Sequence, residues 1–142
     1  MDKDGKDGGC YLKKRNLLAI DNWMITGTPG WQRAPYLEPE PQDIVIQKHK
    51  PSAFFGTMLI AFLNDRSVDT VIVTGGSVSN CVRATVFDAA SLNYRVMVAS
   101  DAVIDRIEIS RQVNLFDMDR QWADVITTAE IAAQLHSSST KG

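Results

Sequence analysis

Residues 70–89 read Thr70-Val-Ile-Val-Thr-Gly-Gly-Ser-Val-Ser-Asn-Cys-Val-Arg-Ala-Thr-Val-Phe-Asp-Ala89, and they carry the clearest structural pattern in the chain. The run Val71-Ile-Val73 is short and β-branched, which is typical of a strand that is covered on both faces. Gly75-Gly76 follows as a turn signal. The first half of this segment therefore predicts a buried strand that ends at a glycine turn.

A cysteine stands where the second half of the segment changes to a helical pattern. Cys81 precedes an apolar helix face formed by Val82, Val86 and Ala89, and Asn93 is suited to the left-handed residue that ends a helix. The first turn of a helix has unpaired N–H groups and a positive dipole end, which favour a thiolate and are suited to hold an oxyanion. Cys81 is therefore a candidate nucleophile, although a lone cysteine in a soluble domain is more often a small buried apolar residue.

Strands and helices alternate over much of the remaining chain. We predict further strands at 44–46, leading to Lys48, at Tyr94–Ala99 and at Val125–Ile126. We predict further helices from Thr57 to about Asn64 and from Thr128 or Ala129 to Leu135. This alternation predicts an α/β fold, in which a mainly parallel sheet is covered on both faces by helices.

The length of 142 residues predicts a single domain over residues 1–142. Within it, residues 1–40 are expected to be irregular, because they contain a polar, glycine-rich leader and several turn signals. Residues 41–136 hold the predicted core, and residues 137–142 are expected to form a frayed tail.

The composition excludes several classes of protein. Fifteen Lys and Arg residues against seventeen Asp and Glu residues give a net charge of −2, so there is no basic surface for nucleic acid. No apolar run approaches about 20 residues, so neither a membrane span nor a signal peptide is expected and the cytosol is the default compartment. Cys10 and Cys81 are expected to stay reduced there. The two histidines, His49 and His136, lack metal-ligand spacing, and there is no nucleotide-binding loop, so we expect neither a metal nor a cofactor.

Six blocks of sequence together resemble the isochorismatase-like cysteine hydrolases, and most closely the group of N-carbamoylsarcosine and maleamate amidohydrolases. The blocks cover about the C-terminal two-thirds of the chain in the order of the family. They are Asp43–Lys48, Ser52–Thr57, Val71–Gly75 with Ser79–Thr85, Asp101–Arg106, Asn114–Met118 and Ala123–Val125.

The resemblance implies a three-layer α/β/α sandwich and a catalytic triad of Asp, Lys and Cys. Lys48 and Cys81 match the last two members, and their separation of 33 positions fits the family. The resemblance also implies a cis peptide bond between Gly76 and Ser77, and an oxyanion hole made by the N–H groups of Ser77 and Cys81. Substrates of this group carry a carboxylate, so Arg106 is a candidate for binding it, with a simple surface charge as the alternative.

The aspartate of the triad has no clear counterpart in this sequence. In the family it ends the first strand, and the run that ends in Asp21 looks similar but lies only 27 positions before Lys48. We expect that the first strand and the catalytic aspartate are missing, by truncation of the gene model or by divergence, and whether Asp21 replaces that aspartate stays open.

Two functions are consistent with this interpretation. The first is a cysteine amidohydrolase that cleaves a C–N bond of a small amide, ureido or carbamoyl acid through a thioester, impaired here by the missing aspartate. The second is a non-catalytic remnant that serves as a binding or oligomerisation module. Related enzymes are usually dimers or tetramers, so a homo-oligomer is expected, while the sequence does not name the substrate.

Overall fold

The computed structural model describes residues 2–10, 14 and 24–139 of the chain. The chain divides into two compact units, Met1–Lys50 and Pro51–Gly142. The second unit contains, in order, α1 (Leu59–Asp65), β1 (Thr70–Gly76), a π-helical turn (Val78–Val82), α2 (Arg83–Ser91), β2 (Arg95–Ile104), α3 (Glu108–Gln121), β3 (Asp124–Ile126) and α4 (Thr128–Ser139). We call the π-helical turn the cysteine turn, because it carries Cys81.

The described part of the first unit includes the short 3-10 helix Pro35–Leu37. The strand predicted at 44–46 is wrong: these residues belong to no strand, and the side chain of Val45 is 59% exposed. An apolar run forms a strand only where a neighbouring strand pairs with its backbone, and no described strand pairs with this one. Residues that follow this run contact Asp7: His49 Nδ1 lies 2.8 Å from Oδ2 of Asp7, and Lys50 Nζ donates to the carbonyl of Asp7 at 3.3 Å.

The core was predicted to start at residue 41, which lies in the first unit. The second unit begins ten positions later, at Pro51. The single domain over residues 1–142 stays a prediction.

The sheet of the second unit is parallel, and its described strands lie in the order β1-β2-β3. The pairing of β1 with β2 shifts register between Val73 and Gly75, after which Gly75 and Gly76 pair with Val103 and Ile104. Gly75 has a φ of +99°, and a Cβ at Gly76 would lie 2.8 Å from Cγ1 of Ile104. Glycine is therefore required where the two strands meet after the shift. Because of this second pairing, β2 runs five residues beyond its predicted end at Ala99.

The core lies between the sheet and the helices that follow β1 and β2. Its fully or nearly buried members are Val78, Val82, Val86, Ala89, Val96, Val98, Val103, Leu115 and Met118. The predicted helix face of Val82, Val86 and Ala89 is confirmed, and Val78 extends it by one turn. Each buried valine, leucine or methionine side chain among them contributes about 1.5–3 kcal/mol relative to an exposed position.

β1 is not covered on both faces as predicted. Val71 and Val73 pack against the core, whereas Ile72, on the opposite face, is 43% exposed. The described sheet places β2 in the middle and β1 at the side, and a strand at the side of a sheet has fewer neighbours to cover it. The predicted α/β fold with a parallel sheet is confirmed.

The predicted helix signals hold at several ends. The N–H of Leu59 donates to Oγ1 of Thr57 at 3.2 Å, so Thr57 caps α1 as expected. Asn93 has a φ of +66° after the end of α2, which confirms the left-handed residue.

The sequence did not predict α3, and it placed the end of α4 too early. The buried positions of α3 are Asn114, Leu115 and Met118, and its other apolar side chains face solvent, so its sequence lacks a single apolar face. α4 continues to Ser139, into the predicted tail, and Oγ of Ser137 donates to the carbonyl of Gln134 at 2.8 Å. Within the described residues, no helix is long and apolar enough to cross a membrane.

Candidate active site

Cys81 lies in the cysteine turn, directly after the carboxyl end of β1. The peptide bond between Gly76 and Ser77 is cis, at the position that the resemblance implies. The carbonyl of Ser77 then accepts hydrogen bonds from the N–H groups of Asn80 and Val82, both at 3.1 Å. The second of these is the wide spacing of a π-helix. The helix therefore begins at Val78 rather than at Cys81, and the regular α-helix starts only at Arg83.

Buried valines lie on both sides of Cys81. Val78 and Val82 are both buried, and Val86 continues the same face in α2. A spacing of four residues keeps all three valines on the core side, as it does on any helix of about four residues per turn. Cys81 lies between two of these anchors and is itself partly buried. The core thus fixes the backbone on both sides of the thiol.

The carbonyl of Cys81 is connected to the segment that precedes α1. Oγ1 of Thr85 donates to this carbonyl at 2.8 Å, and the N–H of Ala53 donates to the same hydroxyl oxygen at 3.1 Å. Next to it, Oγ of the buried Ser52 accepts from the N–H of Phe54 at 3.1 Å. One hydroxyl group therefore joins the cysteine-bearing backbone to the loop at 51–57.

A carboxylate also contacts the cysteine turn, at the end of β2. Oδ2 of Asp105 accepts hydrogen bonds from the N–H of Ser79 at 2.7 Å and from its hydroxyl at 2.6 Å. These bonds, first that from the hydroxyl and then that from the N–H, lower the pKa of Asp105. An ionised carboxylate therefore lies on the cysteine turn at neutral pH. No role was predicted for Asp105 or Thr85 from the sequence; their only signal was membership of the resembling blocks.

The other predicted site residues lie on other segments of the chain. Lys48 lies in the first unit, exposed, with its Nζ donating to the carbonyl of Lys50 at 3.0 Å. Arg106 is exposed in the loop between β2 and α3. Asp21 lies outside the described residues. The pairing of Lys48 with Cys81, the oxyanion hole at Ser77 and Cys81, and the role of Arg106 all stay predictions.

Cys10 and Cys81, which both lie in the described part of the chain, form no disulfide with each other. Within that part, no three His, Cys, Asp or Glu residues are grouped so as to hold a metal ion. The chemistry that the described residues can offer is therefore that of a partly buried thiol next to a helix start, with hydroxyl and carboxylate groups around its backbone.

Comparison with known proteins places this arrangement in a family. Residues 13–130 match the family model of the isochorismatase domain. The chain is 34% identical over 129 residues to maleamate amidohydrolase of Pseudomonas putida, covering 91% of this chain and 59% of that protein. It is 37% identical over 99 residues to N-carbamoylsarcosine amidase of an Arthrobacter species, covering 70% of this chain and 38% of that protein.

Among solved structures, the chain is similar to an isochorismatase family protein from Desulfovibrio vulgaris. The TM-score is 0.86 at 31% sequence identity, over 96% of this chain and 71% of that chain. The chain thus spans less than two thirds of the length of the two curated relatives.

Proposed function

The chain belongs to the isochorismatase family, and we propose that it hydrolyses a C–N bond of a small amide, ureido or carbamoyl acid through a thioester on Cys81. The observation that carries this proposal is the position of Cys81 in a partly buried, hydrogen-bonded turn after β1. Ligands of open α/β sheets bind at the carboxyl ends of the strands, which is where this turn lies.

The proposed reaction has two steps. The sulfur of Cys81 attacks the carbonyl carbon, a C–S bond forms, the C–N bond breaks, and the nitrogen leaves as ammonia or an amine after taking up a proton. Water then attacks the thioester, which releases the acid and returns the thiol. In this proposal the N–H groups of Ser77 and Cys81 hold the oxyanion, and the ammonium of Lys48 stabilises the thiolate. A carboxylate carries the protons, and Asp21 is the candidate that the sequence offers for this role.

The class of substrate is proposed from the chemistry of the site and from the named relatives. Those names describe an amidohydrolase and an amidase. Arg106 is exposed after β2, next to the residue that contacts the cysteine turn, and an exposed guanidinium can bind a carboxylate by two parallel hydrogen bonds. We therefore propose a small acid with an amide or carbamoyl group as substrate.

The test uses the two cysteines of the chain as a matched pair. Ammonia release from a panel of small amide, ureido and carbamoyl acids is measured for the wild type, Cys81→Ala and Cys10→Ala, together with the intact mass after quenching. We expect slow release, because the catalytic aspartate is predicted to be missing, and a covalent acyl group in the wild type and Cys10→Ala, and neither in Cys81→Ala. Release that persists in Cys81→Ala, or no Cys81-dependent release from any class in the panel, would contradict the proposal.

The role of Lys48 has its own test. Lys48→Met should slow the alkylation of Cys81 by iodoacetamide, because a nearby ammonium favours the thiolate. Lys50→Met is the matched control, since it removes the same charge two residues away. If the two variants alkylate Cys81 at the same rate, Lys48 is not a partner of the thiol.

Self-association is the second candidate function, and one observation favours it. The exposed face of α3 carries an apolar stripe, Ile109, Val113 and Phe116, exposed by 65%, 50% and 60%. The spacing of four and three residues places the stripe opposite the buried face of the helix. A second copy of this helix would remove the stripe from water, which favours association, and we propose this face as the surface of a homo-oligomer.

The molar mass in solution tests this surface, by light scattering after size exclusion. Val113→Lys introduces a charge in the middle of the stripe and is expected to reduce the oligomer to a monomer. Gln121→Lys adds the same charge to an exposed position of α3 away from the stripe and should change nothing. A monomeric wild type, or an unchanged mass for Val113→Lys, would exclude this surface.

A further inference from the structure

The carboxylate of Asp105 joins two segments that are far apart in sequence. Asp105 follows the last residue of β2, and Ser79, which lies 26 positions earlier, is the second residue of the cysteine turn. Oδ2 receives both the N–H and the hydroxyl of Ser79, while Oδ1 receives the N–H of Ile107 at 3.4 Å. The two oxygens thus fasten the cysteine turn to the start of the β2–α3 loop.

These bonds supply acceptors that the start of a helix lacks. The first N–H groups of a helix have no partner within the helix, and an oxygen acceptor close to them fixes where the helix begins. A carboxylate is a strong acceptor, and both of its bonds to Ser79 are short. Ser79 is separated from Cys81 by a single residue, so an anchor on Ser79 restrains the backbone that carries the thiol.

We propose that Asp105 is a positioning residue, which holds the cysteine turn so that the Cys81 thiol meets the substrate carbonyl. This inference rests on the proposed function and deepens it, since Asp105 acts through Ser79 and has no direct part in bond making. Attack on a carbonyl depends on alignment, and a displacement of about 1 Å is enough to slow it strongly.

The chain contains its own control for a purely structural carboxylate. Asp101, on the same strand, accepts the N–H and the hydroxyl of Thr128, both at 2.8 Å, at the start of α4. The two carboxylates therefore accept the same two donor groups at two helix starts, Asp105 on one oxygen and Asp101 on both. Only one of those helices carries a cysteine. Asp105→Ala and Asp101→Ala should therefore lower the free energy of unfolding by similar amounts. Only Asp105→Ala should change the behaviour of Cys81.

The experiment compares Asp105→Ala, Asp105→Asn and Asp101→Ala, each in a Cys10→Ser background. Three quantities are measured: amide hydrogen exchange in residues 77–83, the limiting rate of Cys81 alkylation at high pH, and kcat and KM for ammonia release. At high pH the thiol is fully ionised, so the alkylation rate reports its placement rather than the charge of a neighbour.

Asp105→Ala should exchange about fivefold faster at residues 77–83 and alkylate about fivefold faster, because opening of the turn exposes the partly buried thiol and one helix cap contributes about this factor. Its kcat should fall by about tenfold or more. Asp105→Asn keeps an acceptor oxygen and should recover most of each quantity, within about twofold. Asp101→Ala should leave all three at the level of the background. Arg106→Gln should instead raise KM, because it removes a group proposed to bind substrate.

Two results overturn the proposal. One is an Asp105→Ala variant that matches Asp101→Ala in exchange and alkylation; the other is an Asp105→Asn variant that is as impaired as Asp105→Ala. Ser79→Ala, which removes only the hydroxyl bond, decides the question if Asp105→Ala does not fold, and an unchanged alkylation rate there also overturns it. The proposed function would fail if hydrolysis did not depend on Cys81. The hydrogen exchange and alkylation measurements would still test the role of Asp105 in that case.

Discussion

Two helices of the second unit begin in the same way, but the residues after each start differ in burial. The cysteine turn and α4 each receive a carboxylate from β2 or its end, Asp105 in one case and Asp101 in the other. Behind the first start, Val78, Val82 and Val86 are buried in the core. Behind the second, Ile131 is buried, and the described side chains after it are exposed.

The comparison shows that the polar contact and the packing have separate roles. A carboxylate that accepts an N–H and a hydroxyl fixes the residue at which a helix begins, and it does so equally well at a solvent-facing helix. Burial of the following turn determines how firmly the helix is held. A positioned nucleophile needs both, and of these two helix starts only the cysteine turn has both.

The largest difference should appear when the packing is reduced. Val86→Ala removes a fully buried side chain behind the cysteine turn and should lower the free energy of unfolding by about 2–3 kcal/mol, from lost burial and a residual cavity. Leu135→Ala, in the exposed part of α4, should change it by about 0.5 kcal/mol or less. Urea denaturation measures both, and equal losses would mean that the two helices are held with similar strength.

The next difference concerns the reactivity of a thiol at each start. Two proteins that each carry one thiol are compared, both in a Cys10→Ser background: one keeps Cys81, and the other has Cys81→Ser and Ala129→Cys. Iodoacetamide should alkylate Cys81 about tenfold faster near neutral pH than the thiol introduced at residue 129. The first turn of a helix alone contributes about 0.3–1 kcal/mol to thiolate stability, and the rest of the tenfold difference is proposed to come from Lys48 and the turn at Ser77. Equal rates would show that a helix start is sufficient.

The same reagent also distinguishes the two natural cysteines. In the wild-type chain, Cys81 should be alkylated before Cys10, because Lys48 and the turn at Ser77 are proposed to stabilise the thiolate of Cys81. Peptide mass analysis at a series of times gives both rates. Cys10 reacting as fast as Cys81 would remove the chemical basis for treating Cys81 as a nucleophile.

A smaller effect is expected from the second cap of α4. Thr127 and Glu130 form a reciprocal pair, in which Oε2 of Glu130 accepts from the N–H and hydroxyl of Thr127 at 2.8 and 2.7 Å. Thr127→Ala should cost about 1 kcal/mol of unfolding free energy and leave Cys81 alkylation unchanged. Ser137→Ala, near the other end of α4, is the control and should be close to neutral. A changed alkylation rate in Thr127→Ala would show that the two helix starts are coupled.

The smallest effect is the pH dependence of these caps. Hydrogen bonds lower the pKa of two carboxyl groups at the start of α4. The N–H of Thr128 contributes most for Asp101, and the N–H of Thr127 contributes most for Glu130. A folded pKa below the unfolded one gives stability that is complete above about pH 4–5 and is lost as the pH falls through the folded pKa. The free energy of unfolding should therefore decrease between pH 7 and pH 3. The decrease should be smaller in Asp101→Asn and Asp105→Asn than in the wild type, because each variant lacks one of the titrating carboxyl groups. Unchanged acid sensitivity in both variants would contradict this origin.

Structural features that depend on a local sequence pattern were predicted well from the sequence. The strand at Val71, the face of α2, the turn at Asn93 and the cap at Thr57 are all local patterns, and each is present. α3 was missed because its apolar residues lie on two faces, and only tertiary packing decides which face is core. The strand at 44–46 was predicted wrongly for a related reason, since its apolar run has no described neighbour to pair with.

The sequence by itself determined the identity of the nucleophile candidate, the α/β alternation and the family, because these depend on residue types and their order. The tertiary structure alone decided that Asp105 reaches Ser79, that Thr85 joins Cys81 to the loop at 51–57, and that the helix starts at Val78. Each of these contacts joins groups on different elements or depends on which side chains are buried. The distance in space between these groups depends on the register of the parallel strands. The spacing of the residues along the chain does not determine that register.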